Sequence, residues 1–131
     1  MKEIGVNGMK DMLFTKTHEW VEFLDDTTVR VGLTDYAQKE LGDLVFINLP
    51  EVGDDVIASE SFADVESVKA VSNVYSPVTG VIKEINEELL DHPELVNESS
   101  YEAWFVVIGE VSVQEELLSE EEYEQLIHEE E

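Results

Sequence analysis

Short apolar stretches alternate with turn residues through the middle of the chain, which is the pattern of a small barrel or sandwich. Five stretches are predicted to be strands: residues 28–33, 44–49, 65–71, 81–85 and 104–108. Residues 81–85 alternate in polarity and predict one solvated face, whereas residues 104–108 are apolar throughout and predict fuller burial. The core is expected to form around these strands.

Helix signals occur at three places. Thr34 precedes an apolar-periodic stretch that ends at Gly42, which predicts a short helix with an N-cap and a glycine stop. Residues 86–90 predict a helical turn that ends before Pro93. The sequence from Ser119 to Glu122 is a capping box, and it predicts a C-terminal helix over about 119–129. The apolar stripe of this helix, which is expected to lie on the domain, comprises Tyr123, Leu126 and Ile127.

Lys69 is the only Lys or Arg between Lys39 and Lys83. Turn signals on both sides, with strand-like residues leading to the lysine, predict a hairpin with Lys69 at its tip. The tip lacks Asn-Gly and Gly-Gly, which favours a type I turn over the primed types. A lysine can be acylated, and acylation removes the charge and lengthens the arm. An ordinary solvated lysine is the plain alternative.

The sequence from Glu66 to Ala70 resembles the lipoyl-attachment segment of the glycine cleavage system H protein family. Further landmarks of that family match in order: HEWV at 18–21, GLTDYAQ at 32–38, LGD at 41–43, LPEVG at 49–53 and PELVN at 93–97. The resemblance spans about residues 13–124. It implies a mainly β, flattened barrel or barrel-sandwich hybrid of the lipoyl-domain type, with short helices and a C-terminal helix. It also implies covalent lipoate on Lys69, recognised through Glu66, Ser67, Val68 and Ala70.

The resemblance implies a non-catalytic carrier subunit. A pyridoxal-phosphate (PLP)-dependent glycine decarboxylase would load an aminomethyl group onto the lipoyl arm, and a tetrahydrofolate-dependent aminomethyltransferase would unload it. A dihydrolipoyl dehydrogenase would reoxidise the arm, and a lipoate ligase or a lipoyl/octanoyl transferase would attach it. Two alternatives stay open: a lipoate relay to 2-oxoacid dehydrogenases, and a non-lipoylated acidic interaction module. Val68 and Ala70 stand where biotin carriers have methionines, which disfavours biotin.

The resemblance also implies a cleft for the loaded arm. The residues that match its lining are Thr17, Glu19 and Asn73, and Asn73 stands where the family commonly has aspartate. A carboxylate at Glu19 would pair with an amine on the arm, although exposed strand polarity is the alternative. Two further departures from the family pattern are Ser59, where a turn glycine is usual, and Ala103, just before Trp104. Both are tolerable if the backbone there does not need a positive φ.

Composition narrows the possible partners. The chain has 131 residues and a formal net charge of −25, so one domain and a monomer are expected, without nucleic-acid or anionic-membrane binding. A protein partner with a basic face is favoured.

There is no cysteine, and the three histidines form no metal-spaced pair, so no metal site is expected. Residues 1–12 are predicted to be a weakly ordered lead-in and 13–131 the carrier domain, in a bacterial or archaeal cytoplasm.

Overall fold

The structure is a computed structural model that describes residues 12–130. The predicted lead-in at 1–12 lies outside this range except for Met12. Met12 belongs to the first strand and is 6% exposed, so the folded domain includes one residue more than the predicted boundary at residue 13.

Within residues 12–130, nine strands form two antiparallel sheets. The larger sheet has the order β1-β2-β3-β9-β8-β5, and the smaller has the order β4-β6-β7. The strands are β1 Met12–Phe14, β2 Glu19–Asp25, β3 Thr28–Leu33, β4 Leu44–Asn48, β5 Asp55–Val56, β6 Ser61–Ser67, β7 Val71–Tyr75, β8 Val78–Ile85 and β9 Val106–Gln114. The prediction of a mainly β fold is confirmed.

One apolar core joins the two sheets. Val31 of β3 and Ile108 of β9 come from the larger sheet, and Ile47 of β4 and Val65 of β6 come from the smaller one. Each of these four side chains is at most 1% exposed. Burial of apolar surface on this scale is the main force that holds the sheets together.

In the part of the chain that the structure describes, four helices cover the sheets: α1 Asp35–Leu41, α2 Glu88–Asp91, α3 Leu95–Glu98 and α4 Glu120–Glu130. The caps predicted for α1 are confirmed. The Thr34 side chain accepts a hydrogen bond from the Ala37 N–H, and Gly42 ends the helix with φ = 83°. The helical turn predicted at 86–90 is displaced to α2.

The C-terminal helix α4 is also confirmed with its capping box. The Ser119 N–H donates to Glu122 Oε1 at 2.9 Å, and the Glu122 N–H donates to Ser119 Oγ at 3.2 Å. Tyr123 is 3% exposed and joins a second apolar cluster that contains Phe14 and Trp20. The stripe of α4 therefore fastens the helix to β1 and β2.

Three strand predictions were wrong at their ends. The strand predicted at 81–85 begins earlier, at Val78. Residues 65–71 do not form one strand, because the chain turns at Lys69 and starts β7 at Val71. The strand predicted at 104–108 begins at Val106 and runs on to Gln114. Its polar second half pairs with β8, where Val113 lies opposite Thr79, so backbone pairing rather than burial extends the strand.

Candidate functional site

Lys69 lies at the tip of the β6–β7 hairpin, as predicted. The turn runs from Ser67 to Ala70, and the Ser67 N–H donates to the Ala70 carbonyl at 2.8 Å. The Ser67 hydroxyl oxygen accepts from the Lys69 N–H at 3.2 Å and from the Ala70 N–H at 3.0 Å. Neither central residue of the turn, Val68 or Lys69, has a positive φ, which excludes the primed turn types. The turn is therefore closed by Ser67, whose side chain is buried.

A second set of hydrogen bonds holds the turn from below. The Val68 N–H donates to the Asp43 carbonyl at 3.0 Å. Asn97 in α3 fixes the loop that contains Asp43: its Oδ1 accepts from the Leu44 N–H at 2.9 Å, and its Nδ2 donates to the Gly42 carbonyl at 3.0 Å. Asn97 therefore reaches the lysine turn through one intervening loop.

The Lys69 side chain itself is exposed, and among residues 12–130 it makes no ion pair. Its stem passes close to Gly42, where an added Cβ would come 3.4 Å from Lys69 Cε. That distance is an ordinary van der Waals contact, so glycine at position 42 is favoured by its φ of 83° and not by the space that the lysine stem needs. The amine is left available for acylation.

A cleft of about 280 Å³ lies between α1 and the edge strand β7. Leu41, which precedes Gly42 in the chain, is among the residues that line it. Thr17 and Asn73, two of the three predicted arm-cleft residues, both line it. The lining also includes His18, Glu40, Ser72 and Glu130.

Glu19, the third predicted residue, lies behind the cleft wall. It is 1% exposed, so the alternative of exposed strand polarity was wrong. Its Oε1 accepts hydrogen bonds from the Thr15 and Thr17 hydroxyls, each at 2.5 Å, and its Oε2 accepts from the Tyr75 N–H at 3.1 Å. Burial raises the pKa of Glu19 to about 7, although the three hydrogen bonds oppose the rise. Glu19 therefore links β1, β2 and β7 and contacts the cleft only through Thr17.

His18 closes the far end of the cleft. Its Nδ1 lies 2.8 Å from the Tyr123 hydroxyl, and its Nε2 lies 3.1 Å from Glu130 Oε1. The same Tyr123 hydroxyl lies 2.7 Å from Thr34 Oγ1. This network attaches α4 to the turn before β2 and to the N-cap of α1. The sequence left the role of His18 open. No local sequence signal indicates that Tyr123 contacts His18 or that Glu130 lines the cleft.

Two departures from the family pattern have different outcomes. Ser59 has φ = 74°. The backbone at this position therefore does need a positive φ, and serine is strained there in place of the usual glycine. Its hydroxyl donates to Glu115 Oε1 at 2.6 Å, which offsets part of the backbone strain. Ala103, by contrast, has no positive φ and is buried.

No helix within residues 12–130 is long and apolar enough to cross a membrane. Within the same range, no group of three or more His, Cys, Asp or Glu side chains is arranged to hold a metal ion.

Comparisons with known proteins agree with these observations. The sequence profile of the family described as "Glycine cleavage H-protein" matches residues 12–130. A glycine cleavage system H protein of Lachnoclostridium phytofermentans is 62% identical over 122 residues, which cover 93% of this chain and 96% of the relative. A probable glycine cleavage system H protein of Pyrococcus furiosus is 55% identical over 118 residues, 89% of this chain and 88% of the relative.

A solved structure is also similar. The crystal structure of a glycine cleavage system H protein from Mycobacterium marinum superposes with a TM-score of 0.86 at 38% identity, covering 91% of this chain and 98% of that chain. The predicted fold class is confirmed by this likeness. Because the family profile spans nearly all of the described residues, the chain belongs to the glycine cleavage H-protein family.

Proposed function

We propose that Lys69 carries a covalent lipoyl group and that the Lys69 turn presents it to the enzymes of glycine cleavage. The chain is a carrier subunit and not itself a catalyst, in keeping with its family. The observation that carries the proposal is the exposed amine of Lys69, held on a fixed turn beside a cleft. When bound, the lipoyl group supplies a disulfide that accepts the aminomethyl group of glycine and is later reoxidised from the dithiol.

Attachment requires an amine that is free to react. A lipoate ligase would present lipoyl adenylate, and the Lys69 nitrogen would attack its carbonyl carbon. The new C–N bond is an amide, the C–O bond to AMP breaks, and the protons of the ammonium pass to solvent. The chain assists by keeping Lys69 unpaired among its described residues and by fixing the turn through Ser67.

The length of the arm fits the position of the cleft. About eleven bonds join Lys69 Cα to the dithiolane ring, and with bonds near 1.5 Å an extended arm reaches about 14 Å. Asn73 is four residues from Lys69, or about 13 Å along an extended strand. The arm can therefore lie along the edge of β7 and bring its end between Thr17 and Asn73.

The cleft offers hydrogen-bond acceptors to a cationic end of the arm. Thr17 donates its proton to Glu19, so its oxygen keeps a lone pair for the cleft. Asn73 is neutral, but the Glu40 and Glu130 side chains also line the cleft and supply negative charge. These contacts support an arm pocket in spite of the missing aspartate, and their enclosure would slow hydrolysis by keeping water away.

The partners follow from the family. The other glycine cleavage enzymes are its partners in general terms. The specific set that we propose is the PLP-dependent decarboxylase, the aminomethyltransferase, dihydrolipoyl dehydrogenase and a lipoate ligase or lipoyl/octanoyl transferase. The relatives come from bacteria and archaea, which supports the proposed cytoplasmic location.

Intact mass spectrometry tests the attachment site. The protein is incubated with a lipoate ligase, ATP and lipoate, beside the variants Lys69→Arg and Lys39→Arg. Lys39 is another exposed lysine, and it does not line the cleft, so Lys39→Arg is the matched control. We expect one added lipoyl group in the wild type and in Lys39→Arg, and none in Lys69→Arg. An unmodified wild type beside a modified control acceptor would favour a non-lipoylated interaction module.

A further inference from the structure

An exposed apolar pair lies beside Lys69 on the outer face of the smaller sheet. Phe46 of β4 lies opposite Glu66 of β6, and Glu66 lies opposite Val71 of β7. Directly opposed residues of antiparallel strands share one face, with Cβ atoms about 5 Å apart. Phe46, Glu66 and Val71 therefore form one row across the three strands, which we call the outer row.

The apolar members of the outer row face solvent. Phe46 is 50% exposed and Val71 is 67% exposed, whereas Ile47, next to Phe46, is 1% exposed in the core. The register of β4 against β6 shifts between Leu44 and Phe46. Large apolar side chains grouped on a surface are typical of binding sites for other proteins. Val68 of the turn is 69% exposed and extends the apolar surface to Lys69 itself.

The charged side chains in the outer row and in the row beside it are all acidic. Glu66 stands between Phe46 and Val71, and Asp64 occupies the next row on the same face, between Asn48 and Asn73. Neither row contains a Lys or Arg. A complementary surface would therefore combine apolar contacts with a basic side chain placed opposite Glu66.

The reach of the lysine decides which partner needs this surface. Before acylation, five bonds place the Lys69 nitrogen only about 6 Å from its Cα. An enzyme that attaches the lipoyl group must bring its reacting carbon to that nitrogen, so its surface comes close to the end of the hairpin, where the Glu66–Val71 pair of the outer row flanks the turn. Enzymes that react with the far end of the arm, about 14 Å from Cα, can work without touching the outer row.

We propose that the outer row is the docking surface for the enzyme that attaches the lipoyl group. That enzyme seats Phe46 and Val71 in apolar contacts and pairs a basic side chain with Glu66. The inference rests on the proposed attachment at Lys69, and it adds Phe46 and Val71 to the residues that the sequence motif implies for recognition. Phe46 is 23 positions away in the chain and reaches the site only through strand pairing.

Steady-state kinetics of attachment test the docking surface. A bacterial lipoate ligase that is active on another acceptor protein is assayed with wild type, Phe46→Ala, Val71→Ala and the control Val113→Ala. Val113 lies on the larger sheet and is 55% exposed, so it matches the test positions in exposure. We expect KM to rise about tenfold for Phe46→Ala and severalfold for Val71→Ala, with kcat within twofold of wild type. The control should stay within twofold in both.

Two substitutions of opposite charge at Val71 test whether the docking enzyme places a basic side chain opposite Glu66 or makes only apolar contacts. Val71→Lys should raise KM more than Val71→Glu at low salt, and the difference should shrink at high salt. Unchanged KM in Phe46→Ala and Val71→Ala, with the wild-type melting temperature, would overturn the docking surface. Equal effects of Val71→Lys and Val71→Glu would overturn the basic partner. A wild type that the active ligase does not modify would instead refute the attachment at Lys69.

Discussion

The turn around Lys69 and the pocket around Glu19 differ in the exposure of their ionisable side chains: Lys69 is exposed, whereas Glu19 is buried. At the turn, the Ser67 hydroxyl oxygen and the Asp43 carbonyl accept hydrogen bonds from backbone N–H groups, which fixes the backbone and leaves the lysine side chain exposed. At the pocket, the hydrogen bonds end on the carboxylate itself, and the side chain is 1% exposed. Thr17 and Asn73, which line the cleft, lie between the two regions.

The difference shows how the two regions divide the work of a carrier. A group that must visit several enzymes requires a fixed base and a free end, which the turn provides. A cleft wall requires a fixed hydroxyl orientation, and the buried Glu19 provides it through Thr17. We therefore expect changes at Glu19 to alter stability and its pH dependence, and changes around Lys69 to alter the attachment reaction.

The largest expected effect is at Glu19. Its folded-state pKa of about 7 lies above the value of about 4.5 in the unfolded chain, so the folded state binds the extra proton between these values. Stability is therefore lost as pH rises from 4.5 to 7, by about 3 kcal/mol at 1.36 kcal/mol per pKa unit. Glu19→Gln keeps the shape and removes the charge; its oxygen can still accept from Thr15 and Thr17, but its Nε2 is a donor and loses the bond from the Tyr75 N–H at every pH. Denaturant unfolding at pH 4.5 and pH 8 should show the variant gaining about 3 kcal/mol relative to wild type.

The control for this experiment is Glu22→Gln on the same strand, whose side chain pairs with Arg30 at the surface. Its stability relative to wild type should change little over the same pH range, because surface ion pairs contribute about 1 kcal/mol or less. If Glu19→Gln showed the same pH dependence as wild type, the titrating carboxyl would lie elsewhere.

Asn97→Ala should have the next largest effect, on the lysine side of the comparison. It removes the bonds to the Leu44 N–H, the Gly42 carbonyl and Gln38 Oε1, and we expect a loss of about 2 kcal/mol. Because the Gly42–Leu44 loop also supports Val68, lipoylation should slow severalfold at a temperature where the variant is folded. Asn86→Ala, which loses one bond to the Trp104 carbonyl, is the matched control. Equal lipoylation rates in the two variants would refute a link from Asn97 to the turn.

Ser67→Ala should cost about 1 kcal/mol, since it leaves the Lys69 and Ala70 amides without their side-chain acceptor. Amide hydrogen exchange should become faster at these two positions, while the Tyr75 amide, bound to Glu19, keeps its protection. Uniformly faster exchange in both regions would mean that the turn and the Glu19 pocket open together.

The smallest expected effect is a gain, on the Glu19 side. Ser59→Gly relieves a left-handed φ of 74° but loses the hydrogen bond to Glu115. The relief of backbone strain outweighs the lost hydrogen bond, so we expect a net stabilisation of about 0.5 kcal/mol. Thermal unfolding would show it as a slightly higher melting temperature. A lower melting temperature would mean that the bond to Glu115 outweighs the strain.

Local signals predicted much of the lysine side of the site. The cap at Thr34, the stop at Gly42 and the capping box at Ser119 each depend on contacts within a few residues, and each is confirmed. The hairpin and the class of its turn were predicted for the same reason. The ends of the strands were harder to predict from local signals. The second half of β9, for example, is held by pairing with β8, about 30 residues earlier in the chain.

The sequence by itself determined the family, the mainly β fold and the choice of Lys69, because turn residues, periodicity and motifs are written in neighbouring positions. Only the tertiary structure decided that Glu19 is buried behind Thr17, that Asn97 supports the lysine turn, and that α4 closes the cleft. Burial and hydrogen bonding depend on which distant elements pack together. The raised pKa of Glu19 exists only because β1, β2 and β7 enclose its carboxylate.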